Sequence, residues 1–256
     1  MRCLSGFVMT LVLAAALPAG ATDLQKEKRW AEQVADALLD GEAIYLDDGR
    51  APFLAIETES AVGAGTKAAV IMHGTGVHPN WPTVVLPLRV RLAEVGWHTL
   101  SIQMPVLAND AAHEDYAAIY DWVPGRVDAA VSHLREKGFE TVVLIAHSQG
   151  SAMTAYYLDG KHRTVDGFVA VGMSGARDGG PADAASRLAK IDIPMLDLYG
   201  SEDLAEVLAG VDVRAAQGGG AGRDYTQQRI EGADHFFDGE EDALLEAVNA
   251  WLDARY

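Results

Sequence analysis

The sequence predicts an α/β protein whose core is a mostly parallel, twisted sheet of eight strands with helices on both faces. Short apolar runs alternate along the chain with segments that carry apolar residues at helical spacing. Several runs are continuously apolar, as expected of strands that are covered on both faces. Asp47-Asp48-Gly49-Arg50 is a good hairpin turn. Helices connect most of the remaining runs, which implies parallel pairing.

The predicted elements start with a helix at about Leu24 to Leu39. The predicted strands are Ala43–Leu46, Ala51–Ile56, Ala68–Met72, Trp97–Met104, Thr141–Ala146, Gly167–Gly172, Pro194–Tyr199 and Tyr225–Ile230. Helical patterns lie between them, and they include Gln149–Leu158, Ala182–Ala189 and Asp203–Leu208. The glycine-rich piece Gln217 to Gly222 predicts a flexible surface loop.

Residues 1–21 have the features of a signal peptide. Arg2 supplies a positive charge, Leu4 to Leu17 is apolar or small, and Ala19-Gly20-Ala21 fits a cleavage site. The apolar run is too short to span a bilayer comfortably, although a retained N-terminal anchor is the alternative. The sequence therefore predicts one domain over residues 22–256 and a periplasmic or secreted location.

Composition excludes several classes of function. The only cysteine is Cys3, so a processed chain has no disulfide, no thiolate metal site and no cysteine nucleophile. The net charge of −17 argues against nucleic acid, whose phosphates need a basic surface, and disfavours adsorption to anionic lipid. No histidine pattern has zinc spacing, so we predict neither a metal nor a cofactor.

Ser148 lies where an apolar strand gives way to a helix, within Ala146-His147-Ser148-Gln149-Gly150. A nucleophilic serine on a strained strand-to-helix turn needs small residues two positions away on either side, because larger ones clash with the adjoining strand and helix. Ala146 and Gly150 meet that demand, although the usual pattern has glycine at both positions. A serine that only caps the helix is the alternative.

An acid and a base follow later strands in the order that a serine nucleophile on such a sheet requires. Asp203 comes after the strand Pro194–Tyr199, and His235 comes after the last strand. An imidazole takes the serine proton, and a carboxylate orients that imidazole. We therefore predict that Ser148, His235 and Asp203 form a catalytic triad, with Asp178 as the alternative acid.

Two backbone N–H groups are predicted to hold the oxyanion that forms during acyl transfer. Each such donor stabilises the transition state by about 3 kcal/mol. One belongs to Gln149, which follows the nucleophile at a helix N-terminus. The other belongs to Thr75, in a loop whose glycines let the backbone approach the site.

The other histidines receive weaker interpretations. We predict that His73 supports the loop around Thr75 and that the side chain of His147 points away from the site. His78 and His113 lie in loops and are weak candidates for substrate contact at the mouth of the pocket. His98, His133 and His162 are expected to be surface or packing residues.

These motifs resemble the α/β-hydrolase superfamily over essentially the whole mature chain. The residues that carry the resemblance are His73-Gly74-Thr75-Gly76, Ala146-His147-Ser148-Gln149-Gly150, Gly200-Ser201-Glu202-Asp203 and Asp234-His235. The first three resemble that superfamily's oxyanion loop, nucleophile elbow and acid loop. More narrowly, HGTGVHPNWP and LAEVGWHTLSIQMP resemble a family of exported bacterial α/β-hydrolase-like proteins with no assigned function. The resemblance implies an α/β-hydrolase fold without naming a substrate.

Only about 20 residues separate Gly167–Gly172 from Pro194–Tyr199, the usual place of a lid domain in this fold. We therefore expect a minimal lid or none, and an open pocket for small-molecule or polymer-attached acyl substrates. The predicted function is a serine hydrolase of carboxylic esters or thioesters that forms an acyl-enzyme. An amide hydrolase with the same triad is one alternative. A non-catalytic binding or envelope-assembly protein is the other, since Ala146 departs from the usual pattern.

Overall fold

The computed structural model describes residues 22–159, 164–175, 179–220 and 222–256. The predicted signal peptide, the alternative acid Asp178 and the predicted surface residue His162 lie outside these ranges. Within them, no helix is both long enough and apolar enough to cross a membrane.

The described residues form one sheet of eight strands. The strands are β1 (Glu42–Asp47), β2 (Pro52–Thr58), β3 (Lys67–Met72), β4 (His98–Ile102), β5 (Thr141–His147), β6 (Gly167–Val171), β7 (Met195–Gly200) and β8 (Tyr225–Ile230). Their order across the sheet is β1-β2-β4-β3-β5-β6-β7-β8. β2 pairs antiparallel with both β1 and β4, and every other neighbouring pair is parallel. This confirms the predicted fold class.

Helices cover both faces of the sheet. They are α1 (Leu24–Ala37), α2 (Val85–Glu94), α3 (Val123–Glu136), α4 (Gln149–Asp159), α5 (Ala184–Leu188), α6 (Ala205–Ala209), α7 (Val211–Gly218) and α8 (Glu241–Asp253), with a 3₁₀ helix at His113–Trp122. Helices α3, α4 and α5 contribute to one buried apolar cluster, and α2 and α8 contribute to the other.

Strand β3 shows why both faces need cover. Ala68, Val70 and Met72 pack with the cluster that contains α3 and α4, whereas Ala69 and Ile71 pack with α2 and α8. Successive side chains of a strand point to opposite faces of the sheet. A continuous apolar run is therefore buried only when helices lie on both sides.

The sequence-based prediction lacks two helical segments, the 3₁₀ helix and α7. Because α7 extends to Gly218, the prediction of a flexible loop from Gln217 is wrong for its first two residues. A Cβ atom at Gly218 would clash with the ring of Tyr225 in β8. The glycine there serves close packing of a helix end rather than flexibility.

The connection from β6 to β7 forms no lid domain in its described part. Its one described helix is the short α5, whose Ala184 and Leu188 are buried in the apolar cluster of one sheet face. The prediction of a minimal lid or none is confirmed. The described residues of this connection form no helix or strand besides α5.

Candidate active site

Three predicted site residues meet at the carboxyl edge of the sheet. Ser148 follows β5 directly, Asp203 follows β7 by three residues, and His235 lies in the loop after β8. His235 Nε2 is 2.9 Å from Ser148 Oγ, and His235 Nδ1 is 2.6 Å from Asp203 Oδ1. The structure thus joins the hydroxyl, the imidazole and the carboxylate in one line of hydrogen bonds.

The backbone of Ser148 is strained. Its φ of 54° lies in the left-handed region, which costs a non-glycine residue roughly 1–2 kcal/mol. The turn is held by two backbone hydrogen bonds, from Ser148 N–H to Val171 O at 2.8 Å and from Ser151 N–H to Ser148 O at 2.9 Å. A residue that caps a helix has an extended backbone instead. The strained turn does not fit the capping alternative and has the backbone geometry that the predicted nucleophile elbow requires.

Small residues around Ser148 have separate reasons to be small. A Cβ atom at Gly150 would clash with the carbonyl oxygen of His73, and one at Gly74 would lie 2.9 Å from Ser148 Cβ. Ala146 is different, because its methyl group is buried within the apolar cluster that includes α3 and α4. The elbow therefore accommodates alanine at position 146 by core packing, whereas position 150 has no room for a side chain.

The Asp203 carboxylate is fixed by backbone donors as well as by His235. Its Oδ1 accepts a hydrogen bond from Leu204 N–H at 2.8 Å, and its Oδ2 accepts one from Gly200 N–H at 3.3 Å. Gly172, with a φ of +60°, passes close by, since a Cβ atom there would lie 3.1 Å from His235 Nδ1. These contacts set the direction of the carboxylate toward the imidazole.

The two predicted oxyanion donors flank Ser148. Thr75 lines the cleft that contains the serine. Gln149 begins α4, and its buried side chain donates to the Tyr120 hydroxyl at 2.6 Å. Within the described residues, neither the Thr75 N–H nor the Gln149 N–H donates to another backbone group. In the described ranges, both N–H groups are therefore without a backbone acceptor.

His73 supports this loop, as the sequence predicts. Its Nε2 accepts hydrogen bonds from Met104 N–H and from the Gln103 side chain, each at 2.9 Å, while its Nδ1 is 2.8 Å from Gly74 O. Burial lowers the pKa of His73 to about 3, so the ring is neutral at physiological pH.

The prediction that the His147 side chain points away from the site is wrong. Its Nε2 is 2.9 Å from the backbone carbonyl oxygen of His235, and the two imidazole centroids are 4.8 Å apart. The reason is strand alternation: Ala146 faces the cluster of α3 and α4, so His147 faces the other side of the sheet, where the loop to α8 begins. The period of two in β5 is the sequence signal that could have found this contact.

The candidate site opens into a cleft of about 220 Å³. Val77, Trp81, Leu204 and Phe236 form most of its apolar lining, and Leu204 and Phe236 are 43% and 45% exposed at the rim. His113 also lines the cleft, whereas His78 packs between the rings of two tryptophans, Trp30 and Trp81.

The charged groups of the cleft are few. Apart from its histidines, the ionisable side chain in its described lining is Glu206. No group of three or more histidine, cysteine or acidic side chains in the described ranges could hold a metal ion. The chemistry that this arrangement offers is nucleophilic attack by a serine, with proton transfer through an imidazole.

A family model described as "Protein of unknown function (DUF3530)" matches residues 13–121 and 110–254 of the chain. No curated protein matches the sequence. Together the two matched segments extend over nearly all of the chain.

Solved structures with the same fold include hydrolases. Est1E from Butyrivibrio proteoclasticus is 17% identical, with a TM-score of 0.65 over 84% of this chain and 99% of that one. A dienelactone hydrolase from Anabaena variabilis is 20% identical, with a TM-score of 0.69 over 84% and 98%. A serine hydrolase without a lid from Xanthomonas campestris is 14% identical, with a TM-score of 0.63 over 84% and 94%. At these identities the likeness shows the α/β-hydrolase fold alone.

Proposed function

This chain belongs to the DUF3530 family of proteins of unknown function, and we propose that it is a serine hydrolase acting on carboxylic esters or thioesters. The observation that carries the proposal is the hydrogen-bonded line from Ser148 through His235 to Asp203. The strained elbow supports it, since strain of this kind holds the hydroxyl in a position that an ordinary turn does not offer.

The proposed reaction has two halves, and in each half His235 acts first as a base and then as an acid. His235 Nε2 takes the proton of Ser148 Oγ as the oxygen attacks the substrate carbonyl carbon. The N–H groups of Thr75 and Gln149 stabilise the resulting oxyanion. His235 then donates its proton to the departing alcohol or thiol, which leaves an acyl group on Ser148. A water molecule attacks that acyl group, His235 takes the water proton, and the acid is released as the proton returns to Ser148.

Asp203 fixes His235 and stabilises the imidazolium that forms in both halves of this cycle. It does not take the proton itself. The short Nδ1 to Oδ1 distance and the two backbone donors on the carboxylate support this role.

The shape of the cleft supports small or accessible acyl groups. A volume of about 220 Å³ suits a short acyl chain, and the exposed rim at Leu204 and Phe236 leaves the rest of a substrate in solvent. We propose small-molecule esters or thioesters and polymer-attached acyl groups as the substrate class. Hydrolysis of a p-nitrophenyl ester with no turnover of the matching anilide would separate the ester reaction from the amide reaction.

Labelling with a fluorophosphonate probe tests the proposal. We expect wild-type protein to be labelled, Ser148→Ala to lose labelling and His235→Ala to be labelled only at a slow residual rate, with both variants keeping the wild-type circular dichroism spectrum. If folded wild-type protein does not react, the chain is better described as an α/β-hydrolase-fold binding or envelope-assembly protein. The burial of Ala146 in the apolar core supports a serine turn that has alanine at this position.

We also propose that the protein works in the periplasm or outside the cell after removal of residues 1–21. Expression with its native N-terminus, followed by cell fractionation and N-terminal sequencing, tests this directly. The expected product begins at Thr22 and lies outside the cytoplasm. A full-length protein held in the membrane fraction would favour the retained anchor.

A further inference from the structure

His235 belongs to an irregular segment rather than to a strand or helix. Residues 231–240 connect β8 to α8. Asp234 closes a local turn, since its Oδ1 accepts from Phe236 N–H at 2.8 Å. Ala233 O accepts from Glu202 N–H at 2.9 Å, which ties the loop to the acid side of the site. Apolar packing brings Ala233 and Phe237 into the cluster that contains Ile145 of β5, but neither of the two hydrogen bonds above joins the loop to β5.

We propose that His147 is a positioning residue that sets the distance between His235 Nε2 and Ser148 Oγ. This inference rests on the proposed function, because His147 acts through His235. His147 is the last residue of β5 and the immediate neighbour of Ser148, and its Nε2–H donates to the backbone carbonyl of His235. Among the described residues, this is the hydrogen bond that joins β5 itself to the 231–240 loop. The side chain of His147 thus connects the strand that precedes Ser148 to the loop that contains His235.

The rings reinforce the same contact. The imidazoles of His147 and His235 lie 4.8 Å apart at an angle of 39°, and the ring of Phe236 lies 5.3 Å from that of His235. His235 is thus confined by His147, by Phe236 and by Asp203. This confinement limits rotation of the imidazole that must stay aligned with the serine.

A neutral imidazole suits this place. The ionisable groups near His147 are His235, Asp203 and His73, and His113 and Glu206 line the same cleft. Burial lowers the pKa of His147 to about 4, so its ring is uncharged when His235 takes the serine proton. His147 can therefore donate to the loop without placing a second positive charge beside an imidazolium.

Two substitutions separate the hydrogen bond from the ring. His147→Phe keeps an aromatic ring and removes the donor, whereas His147→Gln keeps a donor and removes the ring. We expect His147→Phe to lower kcat for ester hydrolysis roughly 10- to 100-fold with little change in KM, because small misplacements of a catalytic group cost rates of this order. We expect His147→Gln to recover part of the loss.

The same substitution in a His235→Ala background tests whether His147 acts through His235. We expect His147→Phe to slow fluorophosphonate labelling in the wild-type background and to add nothing to His235→Ala. Equal slowing in both backgrounds would overturn the inference, because it would mean general damage to the elbow. His98→Phe is the matched control, since His98 is also buried but begins β4 at the other end of the sheet. It should not change the labelling rate of folded protein.

Proton NMR provides a readout that does not need turnover. A downfield signal from His235 Nδ1–H, identified by its loss in His235→Ala, reports the hydrogen bond to Asp203. We expect His147→Phe to broaden or remove this signal while the fold is retained. If wild-type protein does not react with the probe, the proposed function fails and this signal still decides the inference. An unchanged signal in His147→Phe would overturn it.

Discussion

Two buried histidine–carboxylate pairs lie at opposite ends of the sheet. At the carboxyl end, His235 Nδ1 is 2.6 Å from Asp203 Oδ1. At the other end, where β3 and β4 begin, His98 Nε2 is 2.7 Å from Glu57 Oε1. The side chains of both pairs are at most 8% exposed. Distance and burial therefore do not distinguish them.

The two pairs differ in what else they contact. His235 uses its second ring nitrogen to reach Ser148 Oγ, whereas the ring of His98 packs against Phe139 with centroids 4.5 Å apart. Glu57 also accepts hydrogen bonds from His133 and Lys137, so it joins a charge network. A buried histidine–carboxylate pair is a candidate for covalent catalysis only when the imidazole also faces a nucleophile. Size does not identify the site either, because the cavity beside His98 is about 370 Å³ and the cleft at Ser148 about 220 Å³.

The sharpest test of this contrast removes the charge from each carboxylate in turn. We expect Asp203→Asn to lower the rate of ester hydrolysis about 10³- to 10⁴-fold, because the amide no longer stabilises the imidazolium. Glu57→Gln should leave that rate within about twofold of wild type, since Glu57 lies at the other end of the sheet. Equal losses in both variants would break the contrast, and so would a wild-type rate in Asp203→Asn. The latter result would direct attention to Asp178.

The next largest expected effect concerns backbone packing, which is tight at the turn around Ser148 and loose at the other end of the sheet. We expect Gly150→Ala to lower the free energy of unfolding by about 3 kcal/mol, because the new methyl group meets a backbone carbonyl that cannot move easily. Gly65→Ala, beside the cavity at the other end, is the matched control, since a Cβ atom there would be 3.6 Å from its nearest neighbour. Urea denaturation measures both. A wild-type midpoint for Gly150→Ala would contradict the tight packing of the elbow.

We expect the charge network around Glu57, at the end of the sheet away from Ser148, to contribute to stability rather than to catalysis. Burial alone would raise the pKa of Glu57, but hydrogen bonds from Lys137, His98 and His133 hold it at about 2. A carboxylate whose pKa is depressed on folding stabilises the protein above its unfolded pKa, near 4.5, and loses that contribution as the pH falls toward 2. We expect Glu57→Gln to lower the free energy of unfolding by about 1–2 kcal/mol at pH 7 and by less at pH 3.

Urea denaturation from pH 7 to pH 3 measures the effect of Glu57→Gln. Glu59→Gln serves as the control, because Glu59 lines the same cavity but is exposed. A loss for Glu57→Gln that stays constant over this range would show that packing, not charge, accounts for it.

The smallest expected effect concerns the charge of the cleft. Glu206 lines the cleft, and its carboxylate repels an anionic substrate. We expect Glu206→Gln to raise kcat/KM for an anionic ester roughly threefold relative to a neutral ester of the same size, because two charges several ångströms apart in water interact with about this strength. The effect should shrink at high salt. Glu202→Gln changes the net charge equally but lies outside the described cleft lining. An equal response in both variants would point to the overall charge of −17 instead.

Much of the fold and the candidate site follows from local sequence pattern. The eight strands lie within a few residues of their predicted positions, because continuous apolar runs and helical stripes mark buried elements directly. Ser148, Asp203 and His235 were identified because each follows a strand, and parallel strands place their carboxyl ends at one edge. The 3₁₀ helix at His113–Trp122 and α7 were missed, since neither has a long apolar period.

The sequence by itself determined which residues are available for chemistry and in what order they follow the strands. The tertiary structure alone decided how close they come. The turn at Ser148 packs closely against His73 and Gly74 in the loop after β3, and the hydrogen bond from His147 to the His235 carbonyl joins residues 88 positions apart. Local patterns report burial and periodicity, whereas such distances depend on the register of the whole sheet and on the helices packed against it.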